Sequence, residues 1–295
     1  ISKKFKLVEK YKINWNKNLF GKNLTTFYGT NLPPNSDKEK HCGNGEFLLI
    51  IFYDNDPKYG YVKTSRGTER VNVNIFSCKE KFRDLTGGGH KIHSTNSPLE
   101  TNHDLTLLLG INYNDYEKSL KKRSNNNKNE NIIKSIPNNI IGVNGWDSLQ
   151  QLFYVMNSSL DYVVMRNFEY LPENKFSKDH GDIDFLVKDL NQAVFITNAQ
   201  RLYKKRHKIN VAGKDVLIDF EYVGDGSYDQ NWQNHILNNK ILLNYSFYVP
   251  CLEDYFYALI YHILIHKTYI AADYPDKIKG IYKKLSFYDP NKCNF

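Results

Sequence analysis

The chain has 295 residues, of which 41% are hydrophobic and 24% charged, and this is the composition of a globular protein long enough for about two domains. Its formal net charge of +8 favours anionic partners such as nucleotides, phosphosugars or nucleic acid, although lysine-rich surfaces also serve solubility alone. No apolar run of about 18 residues occurs, so neither a membrane span nor a signal peptide is expected.

The four cysteines carry no pairing motif. Cys42, Cys78, Cys251 and Cys293 are scattered, and none belongs to a C-x-x-C pair. The pattern argues against a disulfide scaffold and a zinc site, and reduced thiols in a cytoplasmic protein are expected. The chain starts at Ile1 and not at Met, which is compatible with a piece of a longer protein.

The N-terminal part is predicted to be a separate, smaller α+β domain over about 1–115. The continuous apolar run 47–53 predicts a strand that is buried on both faces, because polar residues do not alternate with the apolar ones. Further strands are predicted at 61–64 and 70–75, and a short helix at 76–85.

The N-terminal half of the chain contains a sequence that predicts the start of a helix. Ser97, Pro98 and Glu100 have the form of a capping box, with the proline in the first helical position. A helix over 98–109 that is ended by Gly110 is therefore predicted.

Three consecutive glycines, Gly87–Gly89, stand ahead of this helix and are followed by Lys91 and His93. Exposed backbone amides and a helix N-terminus both favour an anion. Lys91 and His93 are therefore candidate nucleotide- or phosphate-binding residues. The competing interpretation is a glycine turn followed by an ordinary helix cap.

Residues 116–139 are predicted to form a polar linker. The run 121–139 is rich in lysine and asparagine, and no aromatic residues interleave the basic ones to stack on bases. A second domain is predicted over 140–295, with these elements in order: a helix at 146–157, strands at 162–165 and 182–187, a helix at 190–203, strands at 209–211 and 214–222, and a buried helix at 252–266.

The stretch HGDIDFLV, which starts at His180, places two carboxylates inside an apolar run. Side chains alternate between the faces of a strand, so Asp182 and Asp184 point the same way. Two anions on one face are tolerated near a core when a cation lies between them, and a divalent ion with oxygen ligands serves this purpose. The alternative is a polar strand edge in water. Asp219 and Glu221 share a face in the same manner.

A helix, a strand, a strand with D-x-D and a strand with a third acid occur in this order in the DNA polymerase β-like nucleotidyltransferase superfamily. Residues 146–225 resemble its small, poorly characterised bacterial-type members, whose first strand ends in Arg or Lys followed by Gly. Here Arg166 is in place and Asn167 stands where the family has Gly, while Asp219 matches the third acid.

The resemblance implies an α+β fold, namely a nucleotidyltransferase-like mixed sheet with flanking helices and a helical C-terminal extension. It also implies a Mg²⁺ or Mn²⁺ cofactor held by Asp182, Asp184 and Asp219, with Asp219 helping to activate an attacking hydroxyl. Two ions about 3.5–4 Å apart would stabilise the attacking and leaving oxygens. Arg166 and Asn167 become candidate nucleotide-binding positions, although a side chain at 167 crowds the approach that glycine allows.

Two further segments are candidates for the acceptor side. The polar loop 223–229 follows the third acid directly, and its glycines can also serve only to turn the chain. His262 and His266 lie at helical i and i+4 spacing, but the H-E-x-x-H pattern is missing, so buried, hydrogen-bonded histidines are expected rather than metal ligands.

The leading hypothesis is a Mg²⁺-dependent nucleotidyltransferase that moves NMP from ATP or another NTP to a hydroxyl or phosphate of a small molecule, phosphosugar or glycan precursor. Nucleic acid is a less favoured acceptor. Alanine at Asp182 or Asp184 is expected to abolish transfer and leave the fold intact. The alternative is a non-catalytic module for glycan assembly that binds a nucleotide sugar, and a toxin that nucleotidylates RNA or protein would share the same core.

Overall fold

The computed structural model describes six stretches of the chain: 4–43, 45–65, 67–123, 132–173, 181–268 and 273–285. The chain divides into two compact units. The N-terminal unit comprises Ile1–Asn144 and Val194–Asn198, and the C-terminal unit comprises Gly145–Ala193 and Ala199–Phe295. Both units contain helices and strands, so the predicted α+β class is confirmed.

The N-terminal unit is built on a three-stranded sheet in the order β2-β1-β5, in which β1 runs antiparallel to β2 and parallel to β5. A separate hairpin pairs β3 with β4. The elements are β1 (Phe5–Asn14), α1 (Phe20–Tyr28), α2 (Asp37–Cys42), β2 (Glu46–Asp54), β3 (Tyr59–Thr64), β4 (Gly67–Asn72), α3 (Val73–Leu85), α4 (Pro98–Leu109), α5 (Tyr113–Arg123) and β5 (Ile133–Ile136).

The strand predicted at 47–53 exists, but the prediction that both of its faces are buried is wrong. Leu48 and Ile50 are exposed and alternate with partly buried residues, so one face of this part of β2 is not covered. An apolar run alone does not show whether one or both faces of a strand are covered.

The strand predicted at 70–75 is wrong in its second half. Asn72 ends β4 and caps α3, because its side-chain oxygen accepts hydrogen bonds from the backbone amides of Asn74 and Ile75. Asparagine is a preferred N-cap residue, and this cap outweighs the strand-like alternation of valine and isoleucine.

Helix α4 confirms the predicted start and end. The Ser97 hydroxyl accepts from the Glu100 amide at 3.2 Å, and Glu100 returns a carboxylate contact to the Asn96 amide. Gly110 ends the helix in the left-handed conformation, with φ 70°.

The segment predicted as a linker contains structure at both ends. Helix α5 continues to Arg123, and β5 pairs with β1 from Lys10↔Ile133 to Ile13↔Ile136. Residues 124–131 lie outside the described residues. Short strand segments carry little sequence signal, and β5 is made by only four residues.

The C-terminal unit is built on a five-stranded sheet in the order β6-β7-β10-β9-β8. Strands β7 and β10 are parallel, and the other neighbours are antiparallel. The elements are α6 (Leu149–Ser159), β6 (Tyr162–Arg166), β7 (Asp182–Val187), α7 (Leu190–Thr197, of which residues 194–197 are grouped with the N-terminal unit), β8 (Gln200–Tyr203), β9 (Arg206–Val211), β10 (Lys214–Tyr222), α8 (Gln230–Asn238), β11 (Ile241–Leu243), β12 (Phe247–Val249), α9 (Leu252–Tyr261), a π-helix (His262–His266) and α10 (Tyr274–Leu285).

Both faces of the five-stranded sheet are covered at strands β6 and β7. On one face Phe185 and Phe220 contact each other, and Phe185 meets Phe153 of α6 at a ring-centroid distance of 6.3 Å. On the other face Leu186 belongs to a buried cluster with residues of β6, α8 and α9. The carboxylates of the D-x-D stretch share this second face, because their positions alternate with Phe185.

Two helix predictions in this unit need correction. The helix predicted over 190–203 ends at Thr197, because Asn198 adopts a left-handed φ of 55° and the chain continues as β8. The helix predicted over 252–266 changes to a π-helix at His262, and it is not buried throughout, since Leu264 and Ile265 are exposed.

No helix in the described ranges is long and apolar enough to cross a membrane.

Candidate active site

The sheet register brings two arginines and two aspartates into one row across four adjacent strands. Arg166 of β6 pairs with Asp184 of β7, Asp184 with Asp219 of β10, and Asp219 with Arg206 of β9. Residues that pair across strands point to the same face. Asp182, two residues before Asp184, also lies on this face. The structure therefore brings all three predicted acids together.

Arg206 is the cation between the two outer acids. Its Nε donates to Asp219 Oδ1 at 2.9 Å, while its Nη2 donates to Asp219 Oδ2 at 3.2 Å and to Asp182 Oδ2. These hydrogen bonds to Asp219 raise the pKa of Arg206. The Arg206 side chain is 43% exposed and that of Asp182 is 26% exposed, so this part of the row faces solvent.

Arg166 forms the second, buried ion pair. Its Nη2 donates to Asp184 Oδ1 at 2.6 Å, and the two side chains are only 10% and 6% exposed. Burial opposes ionisation and raises the pKa of Asp184 to about 6, although Arg166 acts in the other direction. Burial also opposes the charge of Arg166, but Asp184 outweighs it, with help from Tyr228 and Glu221, and the pKa of Arg166 lies above its usual value.

Asn167 follows directly and adopts a left-handed backbone with φ 58°. Glycine adopts this conformation most easily, and asparagine is one of the few other residues that do so at small cost. The backbone geometry at this position therefore suits both Asn167 and the Gly of the resembling family. The side-chain Oδ1 accepts a hydrogen bond from Lys277 of α10 at 3.1 Å.

Glu221 extends the acidic face toward the core. It pairs in register with Leu186, and its residue is 1% exposed. Lys205 donates to Glu221 Oε1 at 2.5 Å, while Glu221 Oε2 has no hydrogen-bond partner in the described part of the chain. The site thus contains two arginines, one lysine and four carboxylates. The exposure of the carboxylates decreases from Asp182 through Asp219 and Asp184 to Glu221.

The candidate phosphate-binding residues Lys91 and His93 belong to the N-terminal unit. Lys91 Nζ donates to the Thr86 carbonyl at 2.7 Å, and His93 Nε2 lies 2.9 Å from Asp104 Oδ2. Both line a cleft of about 1100 Å³ within that unit. All three glycines ahead of them have positive φ, between 75° and 80°. Their local contacts fit the turn interpretation, and the cleft leaves the binding interpretation open.

Several residues of the site were missed as site residues in the sequence. In the sequence, Arg206 is only one residue of a basic patch. A two-residue turn at Ala212-Gly213 joins β9 to β10 and sets their register, so that Val211 pairs with Lys214 and Arg206 pairs with Asp219. Glu221 was recognised only through its shared face with Asp219. His180 and residues 174–179 of the preceding loop lie outside the described residues.

In the described part of the chain, no three His, Cys, Asp or Glu side chains are arranged as a metal ligand set. The donor chemistry nevertheless suits a hard divalent ion, because carboxylate oxygens of Asp182 and Asp219 converge on one guanidinium nitrogen of Arg206. The guanidinium is a stand-in cation, and it shows that these oxygens can share one positive charge.

Comparison of the chain with models of known families, with curated proteins and with solved structures gives no match. The functional argument therefore depends on the geometry of this cluster.

Proposed function

We propose that the chain is a Mg²⁺- or Mn²⁺-dependent nucleotidyltransferase that moves NMP from an NTP to a hydroxyl or phosphate of a small-molecule, phosphosugar or glycan-precursor acceptor and releases pyrophosphate. The supporting observation is the convergence of Asp182, Asp184 and Asp219 on one face of a mixed sheet. The order of the strands that carry them is the order on which the family resemblance depends.

Asp182, Asp184 and Asp219 would hold the metal. When bound, a divalent ion neutralises phosphate charge and orients the reacting oxygens. Arg206 leaves Asp182 and Asp219 in this state, and its exposed side chain is free to turn toward a phosphate at the rim of the site.

Arg166 has a different role in this proposal from the one suggested by the sequence. Its buried Nη2 is committed to Asp184, so Arg166 positions this carboxylate rather than reaching the triphosphate. Asn167 contributes the left-handed backbone conformation that directly follows β6.

Binding of nucleotides to three proteins tests the proposal: the unmodified chain, Asp182→Asn and Asp215→Asn. Asp215 is a matched control, because it is an exposed aspartate on the same strand, β10. It forms a salt bridge with Lys208 of β9, which is not a residue of the charged row. ATP, GTP, CTP and UTP are each titrated with Mn²⁺ and followed by thermal unfolding. A ligand at 100 times its Kd stabilises a protein by about 2.7 kcal/mol.

We expect at least one NTP with Mn²⁺ to stabilise the unmodified chain and Asp215→Asn equally, and Asp182→Asn much less. Release of pyrophosphate from this NTP is then measured with the small-molecule fraction of a cell extract as the source of acceptor. If no NTP binds, or if Asp182→Asn binds as well as the unmodified chain, the proposal fails.

A second candidate function is a metal-free binding platform for a nucleotide sugar. The observation in its favour is that Arg206 already neutralises Asp182 and Asp219. In this case a nucleotide sugar would stabilise the unmodified chain and Asp182→Asn alike, with no dependence on Mn²⁺.

A further inference from the structure

Among the described residues, four buried polar atoms on the inner side of the carboxylate cluster have no hydrogen-bond partner. They are Arg166 Nη1, Glu221 Oε2, Tyr228 Oη and His262 Nδ1. All four residues are at least nine-tenths buried. Native proteins leave few such groups unpaired, so a set of four within one unit calls for bound water or for a ligand that takes its place.

The four residues belong to one neighbourhood. Tyr228 packs with Leu186 in the buried cluster, and Leu186 is the register partner of Glu221. The rings of Tyr228 and His262 lie 5.5 Å and 5.6 Å from the His266 ring. Burial raises the pKa of Tyr228, and Glu221 adds to this effect while Arg166 opposes it. Burial and then Arg166 lower the pKa of His262 to about 3.

Tyr228 is held in place before any ligand arrives. The side chain of Gln233 donates to Asp225 Oδ1 at 2.8 Å and accepts from the Gly224 amide at 2.7 Å. The Ser227 carbonyl lies 3.2 Å from His266 Nε2. The loop that follows the third acid is therefore fixed between α8 and the π-helix, and the position of its tyrosine is preorganised.

The chemistry of the four atoms selects the ligand. Arg166 donates, Glu221 accepts, and the Tyr228 hydroxyl and the neutral His262 ring can each do either. Phosphate would meet Glu221 and Asp184, and a cation would meet Arg166 and Lys205. Hydroxyl groups, which donate and accept at once, satisfy all four atoms without adding charge.

We propose that Arg166, Glu221, Tyr228 and His262 form a subsite that binds the hydroxyl groups of a neutral sugar or polyol. This inference rests on the proposed function in one respect, because it makes the bound molecule the acceptor. Glu221 is two residues from Asp219 on the same face, so a hydroxyl at Glu221 lies beside the acid assigned to activate it.

Saturation-transfer difference NMR with five separate probes tests the subsite in the absence of NTP and metal. The probes are glycerol, myo-inositol, D-glucose, D-mannose and N-acetyl-D-glucosamine. This readout reports direct contact, so the general stabilisation of proteins by polyols does not affect it. The variants are Tyr228→Phe and Glu221→Gln, and Tyr222→Phe is the control, since Tyr222 lies on the opposite face of β10 and is exposed.

We expect at least one probe to bind the unmodified chain and Tyr222→Phe equally, and to bind Tyr228→Phe and Glu221→Gln at least tenfold more weakly. Tyr228→Phe removes a hydroxyl that has no hydrogen-bond partner among the described residues, so the melting temperature of this variant should not fall below that of the unmodified chain. The inference is overturned if no probe binds, or if Tyr228→Phe binds like the control. Asp182→Asn should keep the sugar signal, and this separates failure of the subsite from failure of nucleotide transfer.

Discussion

The buried ion pair predicts that the two acids of the D-x-D stretch differ in their importance for folding. Asp184→Ala leaves Arg166 charged inside the unit, where its Nη1 already has no hydrogen-bond partner among the residues that the structure describes. Asp182→Ala leaves Arg206 half exposed and still bound to Asp219 at 2.9 Å. We therefore expect Asp182→Ala to preserve the fold and Asp184→Ala to weaken it, which differs from the sequence-based expectation that both substitutions leave the fold intact.

The difference in stability is large. Removal of one partner from a buried pair costs about 3–5 kcal/mol, whereas a solvent-exposed pair contributes about 0–1 kcal/mol. Each kcal/mol shifts the melting temperature of a domain of about 150–250 residues by about 2–4 °C. We expect Asp184→Ala to lower the melting temperature of the C-terminal unit by about 6–20 °C and Asp182→Ala to lower it by less than about 4 °C.

Thermal unfolding is followed by tryptophan fluorescence in a Trp15→Phe background, because the remaining Trp146 and Trp232 belong to the C-terminal unit. The double variant Arg166→Met/Asp184→Leu replaces the pair with apolar side chains and should recover most of the loss. If Asp184→Ala and Asp182→Ala melt together, or if the double variant is no more stable than Asp184→Ala, the buried pair does not have the assigned role.

Three other results are expected. Arg206→Gln removes two half-exposed ion pairs that compete with a metal for Asp182 and Asp219. The affinity for Mn²⁺, measured by electron paramagnetic resonance, should therefore rise by about 2- to 30-fold. An unchanged affinity would mean that Arg206 does not compete with the metal. Burial lowers the pKa of His262 from 6.5 to about 3, so the stability that the neutral ring contributes above pH 6.5 is lost as the pH falls toward 3. The urea midpoint should therefore fall less steeply with decreasing pH in His262→Asn than in the unmodified chain or in His266→Asn. Parallel curves for the three proteins would contradict this. Asn167→Gly should melt within about 2 °C of the unmodified chain, while Asn167→Ala should lose about 1–2 kcal/mol because alanine tolerates φ 58° poorly; equal melting of the two variants would exclude a backbone requirement.

The sequence predicted the elements of the C-terminal sheet better than their relations. The two-residue period placed Asp182 with Asp184, and the structure confirms β7 as an apolar strand with these acids at its start. The sequence does not predict that Asp184 pairs with Asp219, because these parallel strands are far apart in the chain and tertiary packing sets their register. The hairpin between β9 and β10 is the exception, since its short turn fixes the register locally.

Two predictions for the N-terminal unit are wrong because they depend on side-chain contacts and strand packing that one segment of sequence does not show. Residues 73–75 were predicted to continue a strand, but the Asn72 side chain caps a helix that begins at Val73. The apolar run in β2 was predicted to be buried on both faces, but Leu48 and Ile50 are exposed. Burial pattern and strand order are properties of the assembled sheet, so composition within a single segment cannot determine them.

The alternating row of charges explains how three acids can lie together on one face of the sheet. Each acid of the row has a guanidinium partner, and the two arginines differ in a way that separates their roles. Arg166 is buried and held by Asp184, whereas Arg206 is accessible and shared by Asp182 and Asp219. A buried pair contributes to a defined structure and resists exchange, while an exposed pair is weak enough for a divalent ion to replace it. The same row can therefore be stable without a metal and open to one. The two proposals differ in Arg206, because metal-dependent transfer requires this side chain to leave Asp182 and Asp219, whereas metal-free binding leaves it in place.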